Sequence, residues 1–479
     1  MDTLDLIVSK INSKLGGTKL FYFTNDPERS LGLEKIVSNY VIVHIDDNEY
    51  LDDFEKHNIK YFCLSKSINL GADFFRSSLK LIKSQEFTNY FNQEKAHTNY
   101  MQTFKISPAF ELAVRNLGGK PVNTSAKLNR LYEDKISQFQ IISKLPICLP
   151  KTKVSKLDEL NYHVLSTDFG GEFVLQFASG HTGSGTVFIK NESEFNNIKD
   201  TFQRRTVKVS EYISGTPYTV NCCITRQGVV FGGLSKQITG IKKLTPLIGS
   251  TVGNDWSNQA DFINGINVLE NEISIIGEKM REDGYLGMFG LDIIVKEDGG
   301  FVFIEINARQ PASIPMFTKM QLMQGQIPLA LLHLAEFLEI DYKIDIEQYN
   351  QDNMRPFNFS QIFVRAQKDC EIKTELQSGI YRLQGDNAGF DPVIKQQVAN
   401  VIFLDEQRDK ALILQKSAYS IDALQDCAGM LLLTQVPGRI IKQNDEFARM
   451  QLNTSAFQKN GVLKPWIVEV LQTIYLEQT

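Results

Sequence analysis

The apolar positions along the chain change their spacing repeatedly, and each change marks a change in the kind of structure. Between residues 18 and about 118, short apolar runs such as "KLFYF", "YVIVHI" and "KYFCL" alternate with amphipathic stretches around 28–37 and 49–57. Short apolar runs suit buried strands and the intervals between them suit helices, so this alternation predicts a small parallel α/β unit. "SAKLNRLYEDKISQFQIISKL" then has helical spacing and is stopped by Pro146 and Pro150. From 172 to 310 the pattern turns to hairpins. "EFVLQFA" and "GTVFIK" flank the loop "SGHTGSG", and "VKVSEYI", "YTVNCCI" and "GVVFGGLS" follow. Helical spacing returns near 260–282 and 312–340, with "IEQYNQDNMRPFN" reading as a polar linker. "SQIFVRA", "VANVIFL" and "KALILQ" predict further strands before a last helix near 463–475.

One of these strands departs from a plain core pattern. In "FVFIEINAR", residues 301–309, Glu305, Asn307 and Arg309 recur at every second position and so share a face. Ile304, Ile306 and Ala308 take the other face, toward a core. The preceding apolar run, "GMFGLDIIV", joins it through "KEDGG", where Asp298-Gly299 is a two-residue hairpin signal. That turn sets Asp292 opposite Glu305, and a turn at Gly299-Gly300 sets it opposite Asn307. Opposed Cβ atoms lie about 4.5–5.5 Å apart, so the carboxylates repel unless a cation lies between them. Mg²⁺ takes a few carboxylate oxygens together with substrate phosphates, and Asn307 adds an uncharged ligand. A solvated strand face with a surface ion pair is the alternative. The loop "SGHTGSG" offers backbone N–H groups and hydroxyls suited to phosphate, though a mobile hairpin tip has the same composition.

Composition narrows the field without deciding it. The 479 residues are too many for one core, and the hydrophobic (42%) and charged (22%) fractions are those of a folded soluble chain. A net charge of −5 supplies no excess of positive charge for nucleic acid or an anionic membrane, so neither is expected as a partner. The six cysteines form no CxxC pair, and the adjacent Cys222 and Cys223 read as core residues. Asp2 and Asp5 stand where a secretory signal carries positive charge, and no run approaches the roughly 20 apolar residues of a membrane span. A reducing, cytoplasmic location is the expectation. No GxGxxG follows the first strand, where "TNDPERS" stands instead.

Taken in order, "YEDKISQ", "FVLQFASGHTGSGTVFI", "VSEYISGTPYTV" and "GMFGLDIIV…FIEINAR" resemble the ATP-grasp superfamily over roughly residues 120–345. The resemblance implies an α/β ATP-grasp fold. It would comprise an N-terminal pre-ATP-grasp α/β domain (1–118), the ATP-grasp domain (119–345), a linker (346–358) and a C-terminal α+β, β-rich domain (359–479). It implies ATP and Mg²⁺ as cofactors, with Mn²⁺ as an alternative ion. Asp292, Glu305 and Asn307 match the metal ligands. Lys135 matches a phosphate-binding lysine, and Glu211, Tyr212 and Ile213 match the adenine hinge. Gly183, Ser184 and Gly185 match the phosphate loop. Arg309 matches an arginine that stabilises the anionic intermediate. Gln237 and Lys242 fall where related carboxylases place phosphate and substrate contacts, with a solvated surface lysine as the alternative for Lys242. Two positions depart from the family pattern. Gln176 stands where relatives carry a second nucleotide lysine, and Thr216-Pro217 follow the hinge glycine where many carry an acid for the ribose. The implied activity is an ADP-forming carboxylate–amine ligase acting on small molecules, compatible with a homodimer. The alternatives are a biotin-carboxylase-like activation of bicarbonate and a nucleotide-binding protein without turnover.

Overall fold

A computed structural model describes the chain apart from residues 1–2, 72–73, 94–98, 179–184, 242–243, 246–249, 258–264, 374–375, 385–400, 404–410, 425–428, 460 and 477–479. The loop positions Gly183 and Ser184, and Lys242, therefore lie outside the described residues.

The first strands are β1 (Lys19–Phe23), β2 (Tyr40–His44), β3 (Lys60–Cys63), β4 (Asn99–Thr103) and β5 (Gly119–Pro121). They form an all-parallel sheet in the order β3-β2-β1-β4-β5, as the alternating pattern predicts. Phe21 and Val41 on one face, and Leu20 and Ile42 on the other, are all completely buried, which fits a parallel sheet covered on both faces. The helix expected around 28–37 is only a 3-10 turn, Pro27–Ser30, whose N-terminus Asp26 caps.

The next four strands are β6 (Thr152–Lys156), β7 (Phe173–Phe177), β8 (Thr186–Ile189) and β9 (Thr206–Glu211). They make a separate antiparallel sheet in the order β6-β9-β7-β8. Phe173, Leu175, Val207, Val209 and Ile189 point to its outer face and pack with Leu165 and Phe195 of two covering helices. The inner face is left for the site.

A third, much larger sheet follows. It uses β10 (Thr216–Ile224), β11 (Val229–Thr239), β12 (Thr251–Asp255), β13 (Gly287–Val295), β14 (Phe301–Asn307) and β15 (Ser360–Arg365). β16 (Cys370–Glu371) pairs instead with β21 (Ile440–Ile441). β17 (Gly379–Gln384), β18 (Val401–Phe403), β19 (Ala411–Ser417), β20 (Met430–Thr434) and β22 (Glu446–Leu452) complete the large sheet. Its eleven strands run β14-β13-β10-β11-β12-β15-β22-β20-β17-β19-β18. The C-terminal strands therefore extend the sheet that begins at the candidate strand β14. The joint is the β12–β15 pair, where Gly253 is required. A Cβ there would come within 2.1 Å of the Gln361 carbonyl oxygen. Leu269, Ile273, Ile276 and Met280, a helical stripe on Ile266–Glu282, pack on one side of β10, β11 and β13.

The polar stretch 346–358 is not an open linker. Ile346–Asn353 is a helix capped by Asp345, and it buries Tyr349, Asn350 and Asn353. Asn350 accepts the Phe231 N–H (2.9 Å) and donates to the Val229 carbonyl (3.2 Å), which docks the helix on β11. Asn350 and Asn353 face inward as hydrogen-bonding groups while Glu347, Gln348 and Gln351 stay exposed, so composition alone does not distinguish this helix from a linker.

Candidate active site

The site lies between the inner face of the β6–β9 sheet and the β14 edge of the large sheet. β13 and β14 pair with Asp292 directly opposite Glu305, and with Gly290 opposite Asn307. The expected register is thus present, but it arises differently. Lys296 donates to the Gly300 carbonyl (2.7 Å), so the turn is wider than Asp298-Gly299. An irregularity between Asp292 and Ile293 then shifts the pairing and restores the opposition. Ile304 lies at that irregularity and is only partly buried, whereas Ile306 and Ala308 enter the core as expected.

As an edge strand, β14 would present unpaired backbone groups, and two side chains and a backbone carbonyl from its surroundings meet them. Gln138, on the helix Lys135–Ile142, accepts from the Ile306 N–H at 2.7 Å. Phe303 donates to the Cys148 carbonyl at 2.9 Å. Lys208, from β9, donates to the Ile304 carbonyl at 3.2 Å.

Three donors converge on Asp292. Thr219 Oγ1 (2.7 Å) and Gln237 Nε2 (2.9 Å) share one oxygen, and Asn307 Nδ2 (2.8 Å) takes the other. Enclosure by the strands, and then the neighbouring Glu305, push the Asp292 carboxyl up to about 6. Glu305 instead faces Lys135, with Oε2 and Nζ 2.8 Å apart. The segment expected as one helix is two, Ala126–Glu133 and Lys135–Ile142. Asp134 interrupts them and caps the second, which puts Lys135 at its first turn.

Arg309 lies just beyond β14 and is already engaged. Nη1 donates to Asn307 Oδ1 (2.7 Å) and pairs with Glu133, and the guanidinium stands 5.5 Å from the Phe104 ring centre. Burial pushes the Glu133 carboxyl up, but Arg309 and Lys105 outweigh it and hold the group below the usual carboxylate range. Asp292, Glu305, Asn307, Arg309, Lys135 and Gln237 thus come together in one cluster.

The remaining expectations sit around this cluster. Gln176 and Gly185 flank the loop at the ends of the β7–β8 hairpin, and the Gln176 amide reaches Thr186 Oγ1 at 3.4 Å. Glu211 ends β9 and accepts from the Lys151 N–H (2.6 Å). Tyr212 is exposed and Ile213 half-buried in the hinge between β9 and β10.

Sequence reading missed Lys208. It is buried, it lies directly opposite Gln176 in the β7–β9 pair, and burial lowers its pKa to about 8. A lysine between Val207 and Val209 in "TVKVSE" was the available signal. Its alignment with Gln176, across an intervening helix, was not readable.

The donor set suits a divalent cation. Two carboxylates oppose each other, and Asp292 feels a repulsion from Glu305 that a cation would remove. Asn307 stands beside them with Nδ2 on Asp292 and Oδ1 on Arg309, so its amide would turn to serve as a ligand. Among the described residues no group of three or more His, Cys, Asp or Glu gathers as a metal site, and here the acids are two, Asp292 and Glu305. No helix among them is long and apolar enough to cross a membrane.

Residues 132–313 match a family model described as an ATP-grasp domain. A [butirosin acyl-carrier protein]–L-glutamate ligase of Niallia circulans is 24% identical over 212 residues, 42% of this chain and 48% of that protein. The match thus spans about half the length of that curated relative. Two solved structures are similar over most of their length. The biotin carboxylase domain of Hydrogenobacter thermophilus 2-oxoglutarate carboxylase, solved with MgADP, ADP and bicarbonate, has a TM-score of 0.54 at 12% identity. It covers 91% of this chain and 85% of its own. Carboxyaminoimidazole ribonucleotide synthase from Aspergillus clavatus, solved with ATP, has a TM-score of 0.52 at 11% identity, covering 96% and 97%. At these identities the likeness to solved structures concerns the fold.

Proposed function

We propose, on the premise that residues 132–313 match an ATP-grasp domain, that the chain is an ADP-forming carboxylate–amine ligase. The observation that carries the reading is the Asp292–Glu305 opposition, with Lys135 held against Glu305 at 2.8 Å. That arrangement sets a cation-binding pair beside a cation, which suits a polyphosphate bound with a metal ion.

Asp292, Glu305 and Asn307 would hold Mg²⁺, which when bound supplies charge neutralisation for the phosphates of ATP. The chain's own residues do the rest. Lys135 draws the phosphates toward β14, and the hinge at Glu211, Tyr212 and Ile213 receives adenine. Arg309, held in place by Glu133 and Asn307, binds the substrate carboxylate. A carboxylate is a poor acyl donor because oxide is its leaving group. Its oxygen therefore attacks the γ-phosphorus, the bond to the bridging oxygen breaks, and ADP leaves. An amine then attacks the acyl carbon, phosphate departs, and the amine loses a proton. Arg309 neutralises the oxyanion of that second step, so the protein's contribution is positioning and electrostatics. The likeness to a glutamate ligase supports this reaction class without naming this chain's substrates.

The test is a screen for nucleotide hydrolysis over amino acids, small acids, polyamines and bicarbonate, with ADP and AMP separated by chromatography. ADP release stimulated by a carboxylate and an amine together is expected. AMP release would exclude the mechanism. Stimulation by bicarbonate alone would move the reading to carboxylase chemistry.

A further inference from the structure

We infer that Lys208 is a phosphate-binding residue, its ammonium reaching from β9 into the cleft beside Lys135 to meet the polyphosphate of a bound nucleotide. The inference rests on the proposed nucleotide reading and adds a residue to that site.

Four observations carry it. Lys208 is only 4% exposed and belongs to the inner face of its sheet, opposite the face that Val207 and Val209 fill. Among the described residues it has no carboxylate within ion-pair distance. The Ile304 carbonyl takes one of its three donors, and the Phe139 ring lies 5.7 Å away. The acid it feels most, Glu305, is already bound to Lys135. A buried ammonium without a counter-ion is costly, and an apolar side chain would serve the fold better there.

The neighbours complete the case. Thr186, Gln176 and Lys208 stand abreast on β8, β7 and β9. Gln176 Nε2 and Lys135 Nζ both reach Thr186 Oγ1 at 3.4 Å. Two ammonium groups, an amide and a hydroxyl thus face one cleft with a single carboxylate among them, which is the donor-rich lining an anion needs. The register also accounts for the amide at 176. A second lysine there would oppose Lys208 at about 4.5–5.5 Å between Cβ atoms, and like charges so placed repel. The charge absent from β7 is present one strand away.

Calorimetry with ATP, ADP and adenosine, at saturating Mg²⁺, tests this on the full chain and on Lys208→Met, Lys208→Gln and the exchange Gln176→Lys/Lys208→Gln. Both single variants should weaken ATP and ADP by at least about tenfold, the scale of one charge-assisted bond, and leave adenosine within about twofold. The exchange variant should recover most of the lost affinity. Equal weakening of adenosine and nucleotides would reduce Lys208 to a support for Ile304 and overturn the inference. So would unchanged nucleotide affinity in Lys208→Met. Failure of the unaltered protein to bind any of the three would instead remove the nucleotide reading itself.

Discussion

Among single side chains, Asp292 bears the most contrary demands. It accepts three hydrogen bonds, faces Glu305, and keeps its proton up to about pH 6 in the native state, whereas an unfolded chain releases it near 3.8. That proton uptake favours the fold below pH 3.8, and the contribution is lost as pH rises through about 6. Cation binding runs the other way, since it needs the carboxylate. Mn²⁺ affinity, followed by paramagnetic resonance, should therefore rise about tenfold between roughly pH 5 and pH 7 and then level off. A flat profile would remove Asp292 from the ligand set. Asp292→Asn leaves one acceptor oxygen for donors on two sides, so its N–H₂ group meets either Asn307 Nδ2 or Gln237 Nε2, a donor against a donor, at a cost of about 1–2 kcal/mol. The variant should stay folded by circular dichroism yet lose metal-dependent turnover, as should Glu305→Gln. Near-normal turnover in both would refute the metal assignment.

Secondary-structure elements show where sequence reading works and where it stops. Period-two alternation put Glu305, Asn307 and Arg309 on one side and found the strand that matters. It could not see the irregularity near Ile304, because an inserted residue leaves the local composition unchanged. Nor could it see that Asp134 ends one helix and caps the next, although an acid at that position is a capping signal. Tyr349, Asn350 and Asn353 looked like linker polarity, yet they are buried, the two amides on backbone partners and the Tyr349 hydroxyl on Gln321. Pairing between distant strands was least legible, and the β12–β15 joint depends on it. Gly253→Val would drive a side chain into the Gln361 carbonyl and should cost at least about 2 kcal/mol in denaturant unfolding. A midpoint equal to that of the unaltered chain would mean the joint yields easily.

Across the whole molecule, His333 ties the parallel unit to the large sheet. Nδ1 accepts from the Met288 N–H (3.1 Å), so Nε2 carries the hydrogen directed at the Val122 carbonyl (3.1 Å). Burial lowers its pKa to about 4. The contribution of the neutral ring is complete above the ordinary 6.5 and is lost as pH falls through about 4. His333→Gln should therefore melt well below the unaltered protein at neutral pH, with the gap narrowing toward about pH 4 in scanning calorimetry. A constant gap would show that the ring does not titrate on unfolding. The eleven-stranded sheet carries a consequence for synthesis. β12 leaves the ribosome roughly a hundred residues before β15, a delay of about five to twenty seconds at ordinary elongation rates. In the second half of that interval the nascent chain holds the β13–β14 hairpin complete while the outer edge of β12 waits for a partner. The order of synthesis thus makes the candidate-site half first and its seal last, so slowing translation between those strands should change the yield of folded chain.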